Sequence, residues 1–176
     1  MNKTITIFGS SIPKQGDDEY SIAYELGRLL AQNNFSVCTG GYSGIMEAVS
    51  KGSGEAGGEA VGVTIKDWKS VPNKFLTNNI VCENLFERIQ TLTKLADGFV
   101  ILNGGTGTLL ELAAVWELMN KSILRVKPVV CHSTMWKQIV EIMEVQIKSE
   151  KRKTGLVKCF ENIDDIISYL KSNIII

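Results

Sequence analysis

Three short runs of this chain have the composition of an oxyanion cradle: Gly9-Ser10-Ser11, Gly40-Gly41-Tyr42-Ser43-Gly44 and Asn103-Gly104-Gly105-Thr106-Gly107-Thr108. Glycine has no Cβ, so backbone amides in such runs come close to a charged oxygen, and a helix that begins there adds unpaired N–H groups and a partial positive charge. Phosphate fits this chemistry. Thr106 and Thr108 bring hydroxyl donors, which makes the third run the better cradle and leaves the second to shape the rest of a pocket. Glycines at turns also serve tight geometry alone, and for one run that reading is as good as the other; three runs together favour a ligand. The chain lacks GxxxxGK(S/T), and its first run lacks GxGxxG, so neither a P-loop ATPase nor a standard dinucleotide site is expected.

Two charged residues belong with these runs. Glu111 is expected in the first turn after the third run, where a carboxylate gains from the helix dipole and also lies beside any ligand that the amides hold. Arg88 is expected on the helix before the strand that ends at Asn103, a position from which the fold can return its guanidinium to the pocket. Most lone arginines on helices are solvated or ion-paired, so Arg88 rests on its place in the chain.

These residues need a scaffold, and the patterning supplies one. Lys3 to Phe8 reads as a buried strand, with a helix over Asp17 to Asn33 that Asp17 or Asp18 can cap. Phe35 to Thr39 is a second strand, and the helical run after Gly44 carries Ile45, Met46, Ala48 and Val49. Glu59 to Ile65 alternates as a strand, and Asp67 to Asn79 reads as a long irregular connection. A helical face over Phe86 to Leu95, a strand at Gly98 to Leu102 and a helix from Gly107 to Met119 follow. Then come a strand at Lys127 to Cys131, a helix from Met135 to Lys148, a short strand at Leu156 to Phe160 and a helix from Ile163 to Leu170. This alternation predicts an α/β, Rossmann-like, doubly wound parallel sheet with helices on both faces. In such sheets ligands bind beyond the carboxyl ends of the strands, where the three runs fall.

The 176 residues suit one domain, residues 1–176, and 44% hydrophobic with 22% charged residues excludes a disordered chain. Nineteen basic and nineteen acidic side chains leave no global field to hold nucleic acid or an anionic membrane. The basic stretch from Lys148 to Lys153 reads as a solvated helix end. Cys38, Cys82, Cys131 and Cys159 lie far apart without a CxxC pair and read as buried thiols, with no metal site expected. No signal peptide or membrane-spanning run is evident, so the expected location is cytoplasmic.

The runs Ile7-Phe8-Gly9-Ser10-Ser11, Gly40-Gly41-Tyr42-Ser43-Gly44-Ile45-Met46-Glu47-Ala48 and Gly104-Gly105-Thr106-Gly107-Thr108-Leu109-Leu110-Glu111, in this order and spacing, resemble the LOG (LONELY GUY) family. The resemblance covers roughly residues 3 to 131, and its GGxGTxxE element is far more specific than a lone glycine motif. It implies a homodimer that hydrolyses the N-glycosidic bond of a nucleoside 5'-monophosphate, AMP or a cytokinin riboside monophosphate, to free base and ribose 5-phosphate. By the same resemblance, Arg88 and Glu111 are the catalytic pair. The substrate-binding candidates are Gly9, Ser10, Gly41, Gly44, Met46, Gly104, Gly105, Thr106, Gly107 and Thr108. Asn103 stands where the family has proline, Ile89 where cytokinin-activating members have lysine, and Glu47 where they have glycine, which leaves the base open.

In this scheme the glycine run anchors the phosphate, Glu111 faces the ribose, Arg88 neutralises charge on the phosphate or the leaving base, and no metal or cofactor is required. Glu111 could stabilise a cationic ring, hold hydroxyls or activate water. The rival is a non-catalytic binder of a nucleotide or a phosphate-bearing cofactor, such as a molybdenum cofactor carrier-like protein; a DNA-binding relative is opposed by the balanced charge. Trp116 and Trp136 read as core or interface groups, His132 has no evident partner, and Trp68 lies in the long connection where a base could stack. Leu112, Ala113, Val115, Trp116, Leu118 and Met119 crowd one helix, which is expected to face the sheet on one side and a second subunit on the other.

Overall fold

The computed structural model describes residues 2–174, over which strands and helices alternate. β1 (Lys3–Phe8) leads into α1 (Asp18–Gln32), β2 (Phe35–Thr39) into α2 (Ile45–Glu55), and β3 (Ala60–Ile65) into β4 (Asn78–Cys82). After α3 (Leu85–Leu95) come β5 (Gly98–Ile101), α4 (Thr106–Asn120), β6 (Val129–His132), α5 (Thr134–Ser149), β7 (Val157–Phe160) and α6 (Ile163–Asn173). The strands form one parallel sheet in the order β4-β3-β2-β1-β5-β6-β7, the α/β Rossmann-like architecture that the alternation predicts. β1 is the central strand. The chain moves outward from it through β2, then returns to its other side at β5, so the carboxyl ends of β1 and β5 border the crevice where strand order reverses.

Side chains alternate across this sheet and set its two cores. Ile5 and Ile7 of β1 face α1, α2 and α6, where Leu26, Leu30, Val49 and Ile166 are buried. Phe8 faces the opposite layer with Phe99, Leu92 of α3, Trp116 of α4 and Trp136 of α5. Each such side chain removed from water contributes about 1.5–3 kcal/mol, which drives both layers onto the sheet. α1 and α2 cross closely because Gly27 and Gly52 lie at their contact; a Cβ on Gly27 would run into the carbonyl oxygen of Val49, and one on Gly52 into that of Tyr24.

Several boundaries differ from the sequence reading. The irregular connection after β3 runs into β4 at Asn78, an edge strand whose Asn78 and Asn79 are exposed and whose Cys82 alone is buried, so it carries little of the apolar signal by which strands are read. β6 begins at Val129 rather than Lys127, because Pro128 has no N–H for the ladder. Lys127 instead turns its ammonium into the end of α3, donating to the carbonyls of Thr93 (3.1 Å) and Ala96 (2.6 Å). Asp17 does occupy the N-cap of α1, yet its side chain accepts from the Lys14 amide (2.8 Å) rather than from the helix.

Candidate functional site

α3 and α4 lie on the same face of the sheet and bring the two charged candidates together. Asn84 caps α3 by accepting from the Glu87 amide (3.0 Å), which fixes the first turn that carries Arg88. The Arg88 side chain is buried at 8% exposure: Nε donates to the Val63 carbonyl of β3 (2.7 Å) and Nη1 to Glu111 Oε1 (3.3 Å). Its guanidinium lies over the Tyr42 ring, 5.7 Å from the centroid, and a Cβ on Gly40 would overlap Nη2. Gly40 thus makes room for the arginine.

The third glycine run is the start of α4. Helical bonding begins when the Leu109 amide donates to the Gly105 carbonyl (3.0 Å), which leaves the amides of Thr106, Gly107 and Thr108 without intrahelical acceptors. Thr106 is already the first residue of the helix, so Glu111 falls in its second turn, not its first, and is held by burial and Arg88 rather than by the dipole. Backbone bonds fuse the three runs: the Ser10 amide donates to the Asn103 carbonyl (2.9 Å), and the Ile45 amide to the Ser10 carbonyl (2.9 Å).

Two effects compete at Glu111. Burial disfavours its charged form and Arg88 favours it; burial wins, and the carboxyl is pushed up to about 7. An ion pair in contact therefore coexists with a carboxyl that exchanges its proton near neutral pH.

A cleft of about 480 Å³ opens over this pair and is lined by Gly9, Ser10, Met46, Arg88, Gly105, Thr106, Gly107, Thr108 and Glu111 among the sequence candidates. Three candidates do not line it. Gly41 accepts from the Asn73 amide (2.8 Å) behind the cleft, Gly44 is the N-cap of α2 against the backbone of Ser10 and Ser11, and Gly104 borders a separate cleft beside Asp17 and Glu19. Gly44 needs its φ of 71° and has no room for a Cβ. Tyr42, Ile65 and Leu85 line the cleft without having been singled out; Tyr42 was legible as the one aromatic inside a glycine run, while the other two needed the fold. Trp68 lines it too.

The remaining candidates fall elsewhere. Trp136 is core, with its indole N–H donating to the Leu102 carbonyl (2.9 Å), and Trp116, at 5% exposure, faces the sheet rather than a second subunit. Cys38, Cys82 and Cys131 are buried, whereas Cys159 on the edge strand β7 is half-buried. His132 bonds to the Glu161 carbonyl (3.1 Å), outside the cleft. The departures at Asn103 and Glu47 have local partners: Asn103 Nδ2 donates to Glu19 (2.7 Å) and Tyr20 donates to Glu47 (3.1 Å). Among the described residues, no helix is long and apolar enough to cross a membrane.

Known proteins resemble this chain in sequence and in fold. A protein of Rhodococcoides fascians named cytokinin riboside 5'-monophosphate phosphoribohydrolase is 28% identical over 110 residues, spanning 60% of this chain and 56% of its own. One of that name from Mycobacterium marinum is 29% identical over 133 residues, 71% of each chain. In structure, the molybdenum cofactor carrier protein of Chlamydomonas reinhardtii superposes with a TM-score of 0.79 over 98% of both chains at 22% identity, a likeness of fold. Relatives of this name agree with the resemblance to LOG proteins read from the sequence. The sequence profile of the SLOG cluster4 family matches residues 2–165, and the chain belongs to that family.

Proposed function

We propose that the cleft binds a nucleoside 5'-monophosphate and hydrolyses its N-glycosidic bond. The observation that carries this reading is the placement of a buried Arg88–Glu111 pair beside the free amides that begin α4, in one cleft at the strand switch point. The amides of Thr106 to Thr108 hold the phosphate, and that remote binding positions the ribose over the carboxylate. As the bond from C1' to the base breaks, positive charge grows on the ring and negative charge on the base. Glu111, when ionised, stabilises the ring; water adds to C1' and the base leaves with a proton. Arg88 meets charge on the phosphate or the departing base. Relatives named phosphoribohydrolases support the same reaction.

Incubation with AMP should yield adenine and ribose 5-phosphate in equal amounts by chromatography. AMP binding without either product would select the carrier reading instead. The free cysteines fit a reducing, cytoplasmic setting, the balanced charge opposes nucleic acid as a partner, and the assembly proposed is a homodimer.

A further inference from the structure

The cleft has a polar floor and an apolar rim. The amides of α4, Arg88 and Glu111 account for a phosphate and a ribose, but they leave Ile12, Trp68 and Leu85, exposed apolar side chains on the same cleft, without a role. Trp68 is the largest of them. It is 54% exposed, whereas Trp116 and Trp136 are 5% and 1% exposed in the core.

The loop that carries Trp68 is fastened at both ends to the second glycine run. Where β3 ends, the Ile65 amide donates to the Tyr42 hydroxyl (2.8 Å). Farther along, the Asn73 amide donates to the Gly41 carbonyl (2.8 Å) and Asn73 Nδ2 to the Tyr42 carbonyl (3.0 Å). Asp67 takes a left-handed φ of 56°, which turns the chain directly before Trp68. Trp68 is thereby held at the cleft wall by its flanks, while the residue itself stays 54% exposed. Tyr42 joins the two parts of the site, since the ring under Arg88 belongs to the side chain that secures the loop.

Resting on the nucleotide reading, we infer that Trp68 is the platform on which the base stacks, so that the cleft selects nucleotides by an aromatic base and not by the ribose phosphate alone. Every nucleobase has a π-face, and stacking on an indole tolerates different bases, so this platform favours a broad set of nucleoside monophosphates. Ile12 and Leu85 supply the apolar edge around it.

Calorimetric titration with AMP and with ribose 5-phosphate, in a Glu111→Gln background that holds AMP without turning it over, of the chain with Trp68 intact, with Trp68→Ala and with Trp68→Phe tests this. Trp68→Ala should weaken AMP by about 5- to 100-fold and leave ribose 5-phosphate within about 2-fold, and Trp68→Phe should keep most of the AMP affinity. AMP should also quench the tryptophan fluorescence of the chain with Trp68 intact, an effect absent in Trp68→Phe, because the other two indoles are buried. Unchanged AMP affinity in Trp68→Ala, or equal losses for both ligands, would overturn the platform while the nucleotide reading stands. A chain with Trp68 intact that binds ribose 5-phosphate but not AMP would overturn both.

Discussion

At Glu111 a single proton links the proposed chemistry to stability, with opposite signs. The carboxyl has a usual value of 4.5 and is pushed up to about 7 in the folded protein by burial, against the pull of Arg88. Folding therefore favours the protonated form. Its contribution is complete below the unfolded value, declines as pH rises from about 4.5 to about 7, and is gone above that. The ionised form, which the reaction needs, grows over the same interval. AMP hydrolysis should accordingly rise through about pH 7 while the thermal midpoint falls. Glu111→Gln should lose at least about 100-fold in kcat and should also lose this part of the pH dependence of Tm. Identical slopes of Tm against pH in the two proteins would remove Glu111 as the titrating group. Hydrolysis at the wild-type rate in the variant would remove it from the chemistry.

α3 presents Arg88, and its two ends are held by different devices. At the start, the Asn84 cap and the bond from Arg88 to Val63 fix the helix to β3; at the end, the buried Lys127 ammonium takes up the carbonyls of Thr93 and Ala96. Lys127→Met should leave those carbonyls unpaired and cost about 1–3 kcal/mol in urea unfolding. A midpoint equal to wild type would show the clasp to be dispensable. Gly40→Ala acts at the other end, since its Cβ would displace the guanidinium. The expected result is a fold retained by circular dichroism with AMP hydrolysis down about 100-fold, as for a misplaced catalytic group, and full activity would mean that Arg88 finds another productive position. The sequence made the glycine runs, the alternation and the Arg88 and Glu111 positions legible, because each is a local pattern of residue type. It did not make legible the Lys127 clasp, the fastening of the Trp68 loop to Tyr42, or β4. The first two join residues 23 to 34 apart in the chain, and β4 is an exposed edge that begins with two asparagines.

The proposed homodimer would form through faces left open once the sheet is covered. On α4, Leu112, Val115, Trp116 and Met119 turn inward, so Trp116→Glu would place a charge in the core and report on folding rather than on assembly. The outward face of the same helix carries Leu110, at 40% exposure, with Ala113 also exposed, and α3 adds Phe86 at 77%. Both helices border the cleft, through Arg88 on one and Thr106, Gly107, Thr108 and Glu111 on the other. A twofold contact across these faces would cover the apolar groups and back the walls of both clefts at once. Light scattering at micromolar concentration should then give wild type twice the mass of one chain. Leu110→Glu, alone or with Phe86→Glu, should give a folded monomer with reduced AMP hydrolysis, because the start of α4 loses its backing. A wild type that stays at the mass of one chain would sink the dimer. A monomeric Leu110→Glu with undiminished turnover would instead show that the cleft is complete within one chain.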